Sequence, residues 1–222
     1  MCGRYALYGP VSRLRERFGL AGGIDWEPRF NIAPGTDCPV IRADASGARS
    51  LVAAHWGLVP AWIKADSQVS RPINAKAETA ASKPMFRHAF RRSRVLVPAS
   101  AFYEWVQTPA GKQPWLIRPA NNAYFALGGL LEHWQGPDGE LTSFAILTTD
   151  ASAAMRAIHE RMPVIIDEHD WGHWLDPQFD DVARLQTIMS LTRAAPVTMH
   201  HVSRAVGSTA NEGPALIEPL VD

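Results

Sequence analysis

Three apolar stretches in the middle of the chain constrain the fold more than any other feature. RVLVPASAFYEW (94–105), PWLIRPANNAYFALGGLLEHW (114–134) and LTSFAILTTD (141–150) are separated only by the turn-forming runs TPAGK and GPDGE. Short segments rich in β-branched, aromatic and aliphatic residues, bounded by Gly and Pro, read as strands. CPVIRADASGARSLVAAHW (38–56) adds two more around a turn at Asp44 to Gly47. Together they predict an antiparallel, β-rich centre.

Helical signals lie around this centre. VSRLRERFGL (11–20) has Leu14 and Phe18 on one face, Ser12 as a candidate cap and Gly19 as a stop. AETAASKPMFRHAFRRS (77–93) is helical in composition but interrupted by Pro84. SAAMRAIHERMP is expected to be helical from a capping Ser152 to Pro163, and DEHDWGHWL and DDVARLQTIM complete the set. EPRFNIAPGT (27–36), with proline near either end, reads as an extended loop. There is no βαβ alternation, repeat or linker, so the expectation is a single compact α+β domain over residues 1–222 with peripheral helices.

Composition narrows the function. No run of about 18 apolar residues could span a bilayer, and no charged-then-apolar leader is visible, so a soluble, cytoplasmic protein is expected. With only Cys2 and Cys38, a disulfide scaffold and four-cysteine zinc spacings are both excluded. His169 and His173 are four apart but have no third ligand signalled nearby, so neither metal nor cofactor is called for. Formal charge is zero overall, yet residues 1–118 hold 17 of the 22 Lys and Arg and 8 of the 22 Asp and Glu. That half carries +9 against −9 for the remainder, which permits local phosphate binding.

The chain begins MCGRY. Removal of Met1 would leave Cys2 with an α-amine and a thiol two carbons apart, a 1,2-aminothiol that traps aldehydes. Its amine titrates near about 7.7 to 8.0, against about 10.4 for lysine, so part of it is nucleophilic at neutral pH. Other polar groups stand out amid apolar sequence. Glu104 interrupts FYEWV, where it faces either solvent or a pocket; Asn74 precedes a helix and fits a simple cap; His159 sits before the buried run MPVII.

In order, MCGRY, FNIAPGT, HWGLVPAW, INAKAETA, FYEW, IHERMPVII and VSRAVG resemble the SRAP family, whose members sense and covalently shield abasic sites in single-stranded DNA. The similarity runs from residue 2 to about residue 213. It implies a Schiff base between the Cys2 amine and the ring-opened sugar aldehyde, closed by the thiol into a thiazolidine. Glu104 matches the family glutamate that deprotonates the Cys2 ammonium, His159 the histidine that moves a proton to the sugar ring oxygen, and Asn74 the asparagine that orients the sugar. The resemblance also implies strand contacts: Arg4, Lys76 and Arg161 on flanking phosphates, Met85 and Phe86 as a wedge that enters between bases or stacks on a duplex end, and Trp62 with Asn31 to Gly35, including Pro34, along the strand path. Arg87, Arg91, Arg92 and Arg94 form a further basic run. Lys76 stands where the family commonly has arginine, and Ile63 where a second aromatic is common. Weak lyase activity is a companion expectation, and Met1 removal is either autocatalytic or the work of a cellular aminopeptidase. Two alternatives stay open: an N-terminal-nucleophile amidohydrolase, whose usual apolar strand Arg4 interrupts, and a non-covalent DNA-binding module.

Overall fold

Two β-sheets organise the protein in a computed structural model that describes residues 2–64, 70–121 and 123–220. Strand β1 (Tyr5–Leu7) and helix α1 (Val11–Phe18) lead to β2 (Leu20–Gly23), β3 (Arg29–Ile32), β4 (Asp37–Ala43) and β5 (Arg49–Trp56). Next come β6 (Asn74–Lys76), α2 (Ala77–Ala80), α3 (Arg87–Arg92), β7 (Arg94–Ala99), β8 (Ala101–Thr108), β9 (Gly111–Pro119), β10 (Phe125–Gly136) and β11 (Gly139–Asp150). The last part holds β12 (Arg161–Pro163), α4 (Trp171–Leu175), α5 (Val182–Ser190) and β13 (Val197–His201).

The larger sheet has the order β12-β11-β10-β7-β4-β5-β2, and β5 also pairs with β11 through Ser143 with His55 and Phe144 with Trp56. That extra pairing closes β11, β10, β7, β4 and β5 into a barrel-like ring, which removes two sheet edges. The smaller sheet has the order β13-β9-β8-β1-β3. Most pairings are antiparallel, as the short turns dictate, but β2 with β5, β11 with β5 and β11 with β6 are parallel, so the larger sheet is mixed. The stretch 94–105 serves both sheets. Its strand breaks at Ser100, whose hydroxyl accepts from Tyr8 N–H at 2.9 Å and donates to Tyr8 O at 3.0 Å, satisfying the backbone where the chain changes sheet.

Four local expectations need correction. α1 begins after Pro10, whose carbonyl accepts from Arg13 and Leu14; Ser12 lies inside the first turn and caps nothing. Gly19 does end α1, at φ +59°, where a side chain would be strained. Residues 29–32 form strand β3 rather than loop, because Pro28 and Pro34 flank the ladder to β1 without entering it. Residues 153–158 form successive turns rather than a helix. Asp150 and Arg161 pair across β11 and β12, so the ends of this segment meet; a straight ten-residue helix would hold them about 15 Å apart. Arg94 is also no surface residue. It is buried and donates to the carbonyls of Phe90, Arg91, Trp174, Asp176 and Phe179, tying the ends of α3 and α4 to β7.

Candidate active site at the amino terminus

The smaller sheet brings Glu104 to the start of the chain. Tyr5 pairs with Phe102, and Tyr103 N–H donates to Arg4 O at 3.0 Å, so the next residue of β8, Glu104, lies beside the Cys2 end of β1. Cys2 is wholly buried and packs with the core, where Tyr5 meets Trp56 edge-on at 5.3 Å. The larger sheet supplies Asn74. β6 runs parallel to β11 with Asn74 opposite Ile146, and Asn74 Nδ2 donates to Cys2 O at 2.9 Å. Asn74 is therefore a clamp on Cys2 and not a helix cap; its Oδ1 is buried and accepts no hydrogen bond among the described residues.

Burial shapes the electrostatics. It raises the pKa of Glu104, against which the amino terminus and, after it, His159 act in the opposite direction. It also pushes the Cys2 thiol far above its usual range, and the neighbouring Glu104 charge adds to that effect. The thiol is therefore protonated at neutral pH. His159 Nδ1 accepts from Arg161 N–H at 2.9 Å, so a neutral imidazole carries its proton on Nε2. Glu104 and His159 share a cleft of about 560 Å³ with Arg4, Trp105, Lys112 and Arg204. A carboxylate able to take a proton and an imidazole able to give one thus face one space bordered by three cations.

The remaining expected residues have varied settings. Arg4 Nη1 donates to Asn31 Oδ1 at 2.6 Å and Val206 O at 2.8 Å, its guanidinium lies 5.9 Å from the Trp105 ring centre, and burial lowers its pKa. Asn31 is itself buried, with its amide donating to Ser208 O and Asn211 O, so it holds the C-terminal segment against β3. Arg161 is clasped by both Glu78 oxygens, by Asp150 and by Thr148 O, and the clasp raises its pKa while lowering that of Glu78. Lys76 is exposed at the end of β6, and Pro34 is half-buried in a turn whose Gly35 has φ +79°. Trp62 is 61% exposed, Met85 half-buried, and Phe86 buried in the core, so only Met85 of that pair reaches the surface. Sequence reasoning missed Trp105, Lys112 and Arg204 as cleft residues, although Lys112 closes the TPAGK turn and Arg204 lies in VSRAVG. Among the described residues no group of three or more His, Cys, Asp and Glu side chains could hold a metal ion. Nor is any helix of these residues long and apolar enough to cross a membrane.

Comparison with known proteins fits this geometry. The family model described as SOS response associated peptidase (SRAP) matches residues 1–209. The abasic site processing protein YoqW of Bacillus subtilis (strain 168) is 35% identical, covering 98% of this chain and 99% of its own. Its Gallus gallus counterpart HMCES is 30% identical over 99% of this chain and 78% of its own. A Bacteroides thetaiotaomicron protein of known crystal structure superposes with a TM-score of 0.85 over 99% of this chain and all of its own, at 20% identity, which supports the fold alone. The chain belongs to the SRAP family.

Proposed function

We propose that this protein processes abasic sites in single-stranded DNA by covalent capture through Cys2. The carrying observation is that Asn74 Nδ2 holds the Cys2 carbonyl at 2.9 Å beside the buried Glu104. Met1, whose removal the reaction requires, lies outside the described residues. Relatives named for abasic site processing over nearly the whole chain point the same way.

The steps follow from the protonation states. Glu104, with its raised pKa, accepts a proton from the Cys2 ammonium and leaves a nucleophilic amine. His159 relays a proton at Nε2: it gives one to the sugar ring oxygen as the bond from C1 to that oxygen breaks, and regains one from the C1 hydroxyl, which becomes the aldehyde. The amine adds to the carbonyl carbon, water leaves, and an imine forms. The thiol then adds to the imine carbon while its proton passes to the imine nitrogen, closing the thiazolidine; the net loss is one water. A protonated thiol is a poor first nucleophile, so the amine leads. Asn74 Oδ1 is available to accept from a sugar hydroxyl, and Arg4, Lys112 and Arg204 are set to hold flanking phosphates. Loss of the 3′ phosphate from the imine by β-elimination would give weak lyase activity, and Met1 removal by the same site would give the peptidase step. Junctions between single and double strands suit Met85 as the wedge.

The ring needs sulfur but the imine does not. Cys2→Ala protein lacking Met1 should therefore form an adduct with abasic single-stranded DNA that persists on a denaturing gel only after borohydride reduction. The unsubstituted protein needs no reductant. Failure of the alanine variant to be trapped would overturn amine attack.

A further inference from the structure

A second cleft, of about 700 Å³, is lined by Trp62, Pro84, Arg87, His88 and Arg91, with Glu132 among them. Apart from Trp62, none of these residues has a part in the chemistry above. The chain runs to it directly from Asn74, through β6 and α2 to the turn at Pro84.

Its chemistry differs from that of a plain phosphate groove. Trp62 offers an exposed ring for stacking. Arg87 and Arg91, one turn apart on α3, are exposed, and neither forms an ion pair among the described residues. The same cleft holds Glu132, only 5% exposed. A buried carboxylate repels phosphate, so it weakens sequence-independent binding unless it recognises something. One oxygen of Glu132 accepts from Ala61 N–H at 3.4 Å and the other lies 3.2 Å from His88 Nδ1. An ionised carboxylate has about four acceptor positions, so capacity for two more donors remains. Among DNA bases only guanine presents two parallel N–H donors, N1–H and N2–H, on one edge.

We infer that this cleft reads one unpaired guanine in the strand that carries the lesion. The base stacks on Trp62, its N1–H and N2–H donate to Glu132, and Arg87 and Arg91 hold the adjoining phosphates. This inference rests on the DNA reading above. The competing role for Glu132 is structural: with Trp134, whose Nε1 donates to Ile63 O at 2.7 Å, it anchors the loop that carries Trp62. An anchor affects binding of every base equally, whereas a reader does not.

The test uses the full protein without Met1 and fluorescence anisotropy. The oligonucleotides are otherwise all thymine. They contain an unreactive tetrahydrofuran abasic analogue and a single guanine, adenine or cytosine at each of three positions on either side. Guanine at one position should tighten binding roughly tenfold over thymine, within what a bidentate contact supplies. Glu132→Gln should abolish that preference, and Trp62→Ala should remove it too if Glu132→Gln fails to fold. Equal affinity for all four bases at every position, or a preference that survives Glu132→Gln, would overturn the inference. Crosslinking to abasic DNA with a flat base profile would sink this inference alone; no binding to any abasic strand would sink the functional reading with it.

Discussion

Glu104 and Arg94 are both charged side chains 3% exposed, yet they are held in opposite ways. Arg94 donates to five backbone carbonyls, which replace the water it lost, and its pKa falls only to about 10, so it remains charged at neutral pH. Glu104 is met by charged groups, the amino terminus and His159. Burial raises its pKa, the amino terminus and His159 oppose the rise, and Glu104 and His159 both line a cleft open to a ligand. The difference teaches which buried charge the fold needs and which it tolerates. A charge met by main-chain dipoles stabilises; one met by groups that themselves titrate stands ready to exchange a proton.

Exchanging the two groups for neutral ones should separate these roles. Glu104→Gln should slow crosslinking about a hundredfold, a typical loss for a general base, without lowering the melting temperature. The sign follows from the raised pKa: the contribution of Glu104 to stability is full below its unfolded pKa and is lost as pH rises through the folded value. The variant should therefore gain on the parent protein between acid and neutral pH in thermal melts. A melting temperature that falls at neutral pH would place Glu104 with Arg94 as a structural charge.

Arg94→Met should behave in the reverse manner. Leaving several buried carbonyls unpaired should cost about 3 kcal/mol, or a drop of ~6–12 °C for a domain of this size. Crosslinking by the folded variant at 20 °C should stay within about twofold of the parent rate. A large loss of rate with little loss of stability would break the comparison. The smallest effect is expected at the rim of the cleft. Lys112→Ala should weaken binding modestly and make the slope of log affinity against log salt shallower by about 0.7, the share of one single-strand phosphate. An unchanged slope would remove Lys112 from the DNA path.

What the sequence revealed depended on range. Gly19, the Asp44 to Gly47 turn and the break at Pro84 were legible because local geometry dictates them. β3 was not, since its partner β1 lies more than twenty residues away and prolines at either side imitate a loop. The turns before His159 were hidden for a related reason: their helical composition is overruled by the pairing of Asp150 with Arg161. Barrel closure through β5 and β11 leaves no local trace. Of the residues expected from motifs, Glu104 and His159 line the cleft, whereas Lys112 and Arg204 enter it only because β9 and the residues after β13 come together there.

The most direct test of the central claim is the intact mass of the Met-less protein after incubation with a single-stranded oligonucleotide bearing one abasic site. The account predicts a species equal to protein plus oligonucleotide less one water, stable to heat without reductant and absent from Cys2→Ser. A folded, Met-less protein that gains no mass, or a Cys2→Ser protein that gains the same heat-stable mass, would contradict it.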